Sequence, residues 1–201
     1  MPDLSVRSKT FSTKVSWSDK SDYMHTTKVR LLHALTALTC ISFVGVSTSA
    51  AGKIKFPRDE PTFILELPEG WQHAPDKDGN LDCHPSDDSE YTMSILILKG
   101  LSSEKELKAA LPKIASGMAE AAKIKKFELG DIDSSKNGND VRFMGIRGDG
   151  KVEGVDFVVL VHAFQPQKGK FYAIITAGSK RADDKYEKDY DSITASIEPL
   201  E

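Results

Sequence analysis

Histidine, thiol and carboxylate groups crowd together in one stretch of the chain. His73, Asp82, Cys83 and His84 are followed by Asp87 and Asp88. These are the donor types of zinc and copper sites. Their spacing fits no standard zinc motif. In an extended segment Asp82 and His84 fall on one face while Cys83 points to the other. A metal site at His73, Asp82 and His84 thus needs help from the tertiary structure; an exposed edge strand and loop is the simpler expectation. The nearby acidic residues Asp76, Asp78 and Asp82 to Glu90 lack the Asp-x-Asp-x-Asp-Gly ladder of calcium loops, so a solvated loop is expected there.

His162 is the second chemical candidate. It shares a strand face with Val158, Leu160 and Phe164. A catalytic histidine there would need an Asp or Ser partner from another strand, and no motif signals one. A hydrogen-bonded histidine of the core or sheet edge is the expected role. Past the leader there is no Gly-x-Ser-x-Gly elbow. Gly145, Gly148, Gly150 and Gly154 are spread through a hairpin, not between a strand and a helix, so they form no phosphate loop. No catalytic residue and no cofactor are expected. Trp71, Phe63 and Tyr172 are the aromatic residues best suited to a partner or ligand surface, with a core role as the plainer alternative for Trp71.

The elements that position these residues are legible as periodicities. Thr62 to Leu67 reads as a strand, closed by Pro68-Glu69-Gly70 and followed by Trp71. Asp78-Gly79-Asn80 is a turn that leads into a short strand from Leu81 to His84. From Tyr91 to Lys99, Tyr91, Met93, Ile95 and Ile97 face one way and Leu96 and Leu98 the other. Ser103 and Glu106 fit a capping box. Leu107, Leu111, Ile114, Met118 and Ala121 then make one helical stripe that ends at Ile124 to Lys126. Pro112 predicts a kink, or a helix proper that begins there. Strands follow at Phe127 to Ile132, Val141 to Arg147, Val155 to Phe164 and Phe171 to Ala177. Val155, Phe157, Val159 and Val161 oppose Val158, Leu160 and Phe164, so this strand is covered on both sides and central. Asp183 to Ile197 closes the chain as a helix with Tyr186, Tyr190, Ile193 and Ile197 in a stripe. Hairpin-length links predict a mostly antiparallel sheet of about seven strands. With two main helices covering both faces, the expected architecture is an α+β fold, an α/β/α sandwich.

The leader bears on location. From Met24 the chain has the layout of a secretory signal peptide. Lys28 and Arg30 precede an apolar run from Leu31 to Val46, and Thr48-Ser49-Ala50 or Ser49-Ala50-Ala51 offers small-residue cleavage sites. The run falls short of the roughly 20 apolar residues of a membrane span, and Cys40 lacks a lipobox. Residues 1–23 read as a polar leader upstream of a true start at Met24, 24–50 as the signal peptide and 52–201 as one domain. Cleavage predicts an exported protein, periplasmic or extracellular, with no membrane span remaining; retention as an anchor is the alternative.

The whole chain carries a formal charge of −3. Without the six Lys/Arg and three Asp/Glu that precede Ala51, 21 and 27 remain, a net charge of −6. Nucleic-acid binding normally requires a basic footprint, so it is not expected. The one basic cluster, Lys123-Ile124-Lys125-Lys126, is predicted at a helix end, where cations suit the helix dipole. Cys83 is the single cysteine of residues 52–201. It has no partner for an internal disulfide, and a half-buried strand cysteine is expected.

FILELPEGWQ at Phe63 to Gln72, and FYAIITAGSKRADDKYEKDYDSITASI at Phe171 to Ile197, resemble the entry and exit segments of the PsbP-like superfamily. That group includes extrinsic photosystem II proteins, a Ran-binding nuclear import factor and DcrB-type bacterial envelope proteins. The resemblance spans residues 54–198 and implies a non-enzymatic binding, assembly or chaperone-like role. It supplies no catalytic residues. The function expected is an exported binding domain that acts on a protein partner in the cell envelope. The alternatives are a small-ligand or metal carrier, or an enzyme with a pocket near His162.

Overall fold

The strand buried on both faces sits in the middle of the sheet. The computed structural model describes residues 52–86 and 90–201. The polar leader, the signal-peptide assignment, Cys40, Asp87 and Asp88 lie outside the described residues. The chain first forms β1 (Gly52–Phe56), β2 (Phe63–Leu67), β3 (Trp71–Pro75), β4 (Leu81–Pro85) and β5 (Tyr91–Leu98). Then come α1 (Glu104–Ala121), β6 (Lys125–Lys136), β7 (Arg142–Val152), β8 (Val155–Gln167) and β9 (Lys170–Ser179). Last are α2 (Lys180–Ser196) and the two-residue β10 (Glu198–Pro199).

Seven strands form one sheet in the order β3-β4-β5-β9-β8-β7-β6, with β9 near its centre. A second sheet pairs β1 and β10 on either side of β2. All of these pairings are antiparallel. α1 carries the chain from β5 to the far edge at β6, and the meander β6 to β9 then returns to pair with β5. This is the mostly antiparallel α+β fold expected.

The two faces hold separate cores. On one, Leu107, Leu111, Ile114 and Met118 of α1 pack against Ile146, Val159, Val161, Ala173 and Ile175. On the other, Tyr186, Tyr190, Ile193 and Ile197 join β1, β2 and the opposite faces of β5, β8 and β9. Each fully buried large apolar side chain contributes roughly 1.5–3 kcal/mol. The alternation read in Tyr91 to Leu98 matches this division. Tyr91, Met93, Ile95 and Ile97 belong to the α2 side, and Leu96 and Leu98 to the α1 side.

Several boundaries differ from the sequence reading. Pro112 does not start the helix, which runs from Glu104 with the proline in its interior. Ser103 Oγ caps the Glu106 N–H at 3.3 Å, and the Glu106 carboxylate reaches back to the backbone of Ser102 and, more weakly, of Ser103. Ala121 is exposed, and Lys125 and Lys126 lie in β6 rather than at the helix end. Val155 is 56% exposed because it sits at the tip of the β7–β8 hairpin, beyond the reach of α1. α2 begins three residues earlier than expected, where Ser179 Oγ caps the Ala182 N–H. β1, β3 and β10 were not anticipated. Each is short and is defined by the strand it pairs with.

Candidate functional site

His162 on β8 is reached from three other elements. Its Nδ1 lies 2.5 Å from the Tyr190 hydroxyl of α2. Tyr190 is buried, and among the described residues this ring nitrogen is the hydrogen-bond partner of its hydroxyl, which needs it as acceptor if the phenol is to donate. The phenol proton therefore points at Nδ1, and the ring's own proton is assigned to Nε2. His162 pairs across the sheet with Gly145 of β7, and Asp133 of β6 pairs with Gly145 from the other side. A Cβ placed at Gly145 would have His162 Nε2 and Asp133 Oδ1 both within 2.5 Å. Glycine at 145 thus lets the imidazole and the carboxylate sit side by side over the strand. The Phe143 ring covers the imidazole edge-on at 6.3 Å. Burial holds the His162 pKa below its ordinary 6.5, while Asp133 and Asp191 pull it upward without prevailing.

The opposite face of the same sheet edge carries an open groove of about 500 Å³. It runs between α1 and β6, lined by Lys108 and Pro112 on the helix and by Leu129, Gly130, Asp131, Ile132 and Ile146 on the strands. Two sequence features shape it. Pro112 has no N–H for the Lys108 carbonyl, one turn back on the groove wall. β6 breaks register with β7 between Leu129 and Ile132, so the strand bulges at Gly130. Leu129 is left 37% exposed, one of two large apolar side chains so placed among the described residues.

The other expected site residues are spread apart. β3 pairs His73 with Cys83 of β4, so these two share the face turned toward the α2-side core. Asp82 and His84 lie on the opposite face. Asp82 accepts from Ser94 Oγ at 2.7 Å, and His84 Nδ1 lies 3.0 Å from the Pro85 carbonyl. His73, Asp82 and His84 therefore do not come together. Among the described residues no group of three or more His, Cys, Asp or Glu is arranged to hold a metal. His73 Nδ1 is buried without a hydrogen-bond partner among those residues, and burial lowers the His73 pKa. Cys83 is 2% exposed, fully rather than half buried, because Leu81, Cys83 and Pro85 all turn inward. Asp76 Oδ1 accepts the Asp78 and Asn80 N–H groups and Oδ2 the Asn80 amide, so its carboxylate closes the turn instead of opening a cation loop.

Trp71 and Tyr172, the candidates for a partner surface, are 2% and 1% exposed and present none, and Trp71 takes the core role that was its plainer expectation. Trp71 packs edge-on against Tyr91 and Tyr186. Tyr172 and Phe63 form an edge-to-face pair at 5.0 Å within a larger ring cluster, and Thr62 Oγ1 donates to the Tyr172 hydroxyl at 2.8 Å. The residues that sequence reading passed over are Asp133, Tyr190 and Leu129. Tyr190 was assigned to the helix core by its stripe. The exposed Leu129 beside Gly130, in a strand otherwise rich in charge, was the available signal for the groove.

No protein-family model matches the sequence, and no curated protein does. In three dimensions the chain is similar to cyanobacterial PsbP (CyanoP) from Synechocystis sp. PCC 6803. The identity is 13% and the TM-score 0.59, over 80% of this chain and 98% of that one. It is also similar to a crystal structure from Bacteroides thetaiotaomicron, at 14% identity and a TM-score of 0.53. That match covers 76% of this chain and 50% of the other, so the chain spans about half its length. Likeness at these identities is likeness of fold alone, and in fold the chain is similar to CyanoP.

Proposed function

We propose that this protein is an exported, non-catalytic binding or assembly domain that acts on a protein partner in the cell envelope. The observation that carries the reading is the groove between α1 and β6. It combines an exposed leucine, the outer edge of a long strand that has no strand partner on that side among the described residues, and the Lys108 and Pro112 wall of the helix. An extended segment of a partner could seat an apolar side chain beside Leu129 and bond to the strand edge. The bulge and the flanking charges of β6 oppose indiscriminate strand pairing, as edges of soluble proteins generally must. The fold shared with CyanoP is compatible with this role and supplies no partner. Export rests on the signal-peptide pattern of residues 24–50. No helix among the described residues is long and apolar enough to cross a membrane.

A ligand carrier or an enzyme near His162 is the second reading, favoured by the closeness of His162 and Asp133. It asks more of the site. Nδ1 is engaged by Tyr190, so that nitrogen serves as a general base only if this hydrogen bond is given up.

Capture from native envelope extract, with the purified protein as bait, tests the proposal. One partner in near-stoichiometric amount, lost on Leu129→Glu while the fold is retained, is the expected result. A partner held equally well by Leu129→Glu would move the surface elsewhere. Recovery of no partner would count against a protein-binding role and favour ligand screens around His162.

A further inference from the structure

The C-terminal end of α2 has to satisfy its last carbonyls without a cation, because its final turn holds no basic residue. The loop between β6 and β7 supplies neutral amides instead. Asn137 Nδ2 donates to the Thr194 carbonyl at 3.0 Å and to the Ile197 carbonyl at 2.8 Å. Asn139 Nδ2 adds a further donor to the Ile197 carbonyl at 3.0 Å. On the other side of its amide, Asn137 Oδ1 accepts the Asn139 and Val141 N–H groups, each at 3.0 Å. Carbonyls face the nitrogen and N–H groups face the oxygen, so the orientation of this amide is fixed by its partners and its bonding capacity is filled.

The next residue is Gly138, exposed and with no side chain to shield its backbone nitrogen. We propose that Asn137 is a deamidation site guarded by the fold, a slow hydrolytic modification whose product unfastens the end of α2. In the reaction the Gly138 nitrogen bonds to Asn137 Cγ and gives up its proton, and the side-chain nitrogen leaves as ammonia. Water then opens the cyclic imide, at Cγ to give aspartate or at the backbone carbonyl to give isoaspartate. Water is consumed and ammonia released, with no oxidant or reductant. The fold opposes this step at the reacting atoms. Attack makes Cγ tetrahedral and expels the very nitrogen that holds both helix carbonyls, so it proceeds from states in which this clasp has opened. The product cannot close the clasp again. A carboxylate has no N–H to donate, and it sets negative charge against carbonyls at the negative end of the helix dipole. This inference is independent of the partner-binding reading.

Mass spectrometry of the peptide that carries Asn137, after incubation of the full chain at mildly alkaline pH, reads the modification, with urea-unfolded protein as the reference. The folded protein is expected to deamidate there at least about thirtyfold more slowly, a factor that two net hydrogen bonds supply. Asn139→Ala removes one donor from the clasp and should speed the folded-state reaction roughly fivefold. Gly138→Ala is tolerated, since a Cβ there meets nothing within 4 Å and its φ is not left-handed. The added methyl group shields the attacking nitrogen, so this variant should react more slowly both folded and unfolded. Asn137→Asp copies the product; in hydrogen exchange, amides of residues 191–197 should lose protection while those of β4 and β5 keep theirs. Equal rates in folded and unfolded protein, or a folded-state rate unmoved by Asn139→Ala, would overturn the guard. An unfolded-state rate unmoved by Gly138→Ala would overturn the route through Gly138. Parent-like protection of residues 191–197 in Asn137→Asp would overturn the release of α2.

Discussion

The Trp71 indole N–H donates to Asp189 Oδ2 at 2.9 Å, and so joins the edge strand β3 to a half-buried position of α2 across 118 residues of sequence. The indole therefore clamps the sheet edge under the helix and is not a contact surface. Trp71→Phe keeps most of the packing and leaves Asp189 without this donor, at a cost of about 1–2 kcal/mol. Trp71→Ala removes the packing as well and should cost about 3–5 kcal/mol. Urea unfolding followed by circular dichroism checks both. A Trp71→Phe protein that still captures the envelope partner would separate this clamp from binding.

Gly145 has no room for a side chain. Its Cβ position is filled by the His162 ring and the Asp133 carboxylate. Gly145→Ala must displace one of them, and a loss of about 1–3 kcal/mol is expected, the usual range for overpacking. The displaced imidazole should also show an altered ring chemical shift. Thermal unfolding gives the stability term, and an unchanged midpoint would mean that the ring swings aside freely.

Cys83 should be inert while the protein is folded. Desolvation, assisted by the neighbouring Asp82, raises its thiol pKa far above the ordinary value. The thiolate is the reactive form, and here it is both scarce and inaccessible. In a Cys40→Ser background, a thiol reagent should find no reactive group in the native protein and one after denaturation. Rapid labelling without denaturant would show that β4 opens locally.

Asp82 has its pKa raised by burial, with the Ser94 hydrogen bond acting against the shift. The sign follows from linkage. Between 3.8 and the folded value the folded state binds the proton more readily than the unfolded one. The ionised carboxylate thus costs stability at neutral pH, and that cost disappears as pH falls through the folded value. Asp82→Asn keeps an oxygen to accept from Ser94 Oγ. It should raise the urea midpoint near pH 7, with the difference shrinking as pH falls and gone below 3.8. A lower midpoint near pH 7 would show the charge to be favourable where it stands.

Leu129 and Trp71 mark the limits of reading surfaces from sequence. An aromatic residue after a turn and a leucine inside a charged run both invite a partner assignment. The structure buries the first and exposes the second. The difference arises because Trp71 lies under α2, which is contributed by residues more than a hundred positions away. Leu129 lies on β6, where a shift in register turns the strand edge outward. Neither neighbour leaves a trace in the local sequence.

What the sequence determined by itself is what short-range geometry encodes. Alternation in Tyr91 to Leu98 and the stripe of Tyr186, Tyr190, Ile193 and Ile197 fixed strand, helix and buried faces, because side-chain direction repeats every two or 3.6 residues. Apolar residues on both sides of β8 and β9 required cover above and below, and hence the layered α+β architecture. Tertiary structure decided the rest. It made β1, β3 and β10 into strands by giving them partners and carried Pro112 inside a continuous helix. It also set His73 and Cys83 back to back with Asp82 and His84. Above all, it brought Asp133, Gly145, His162 and Tyr190 to one place from three strands and a helix. Pairing between distant segments is a long-range event governed by packing of the whole sheet, and periodicity within a segment carries no record of its partner.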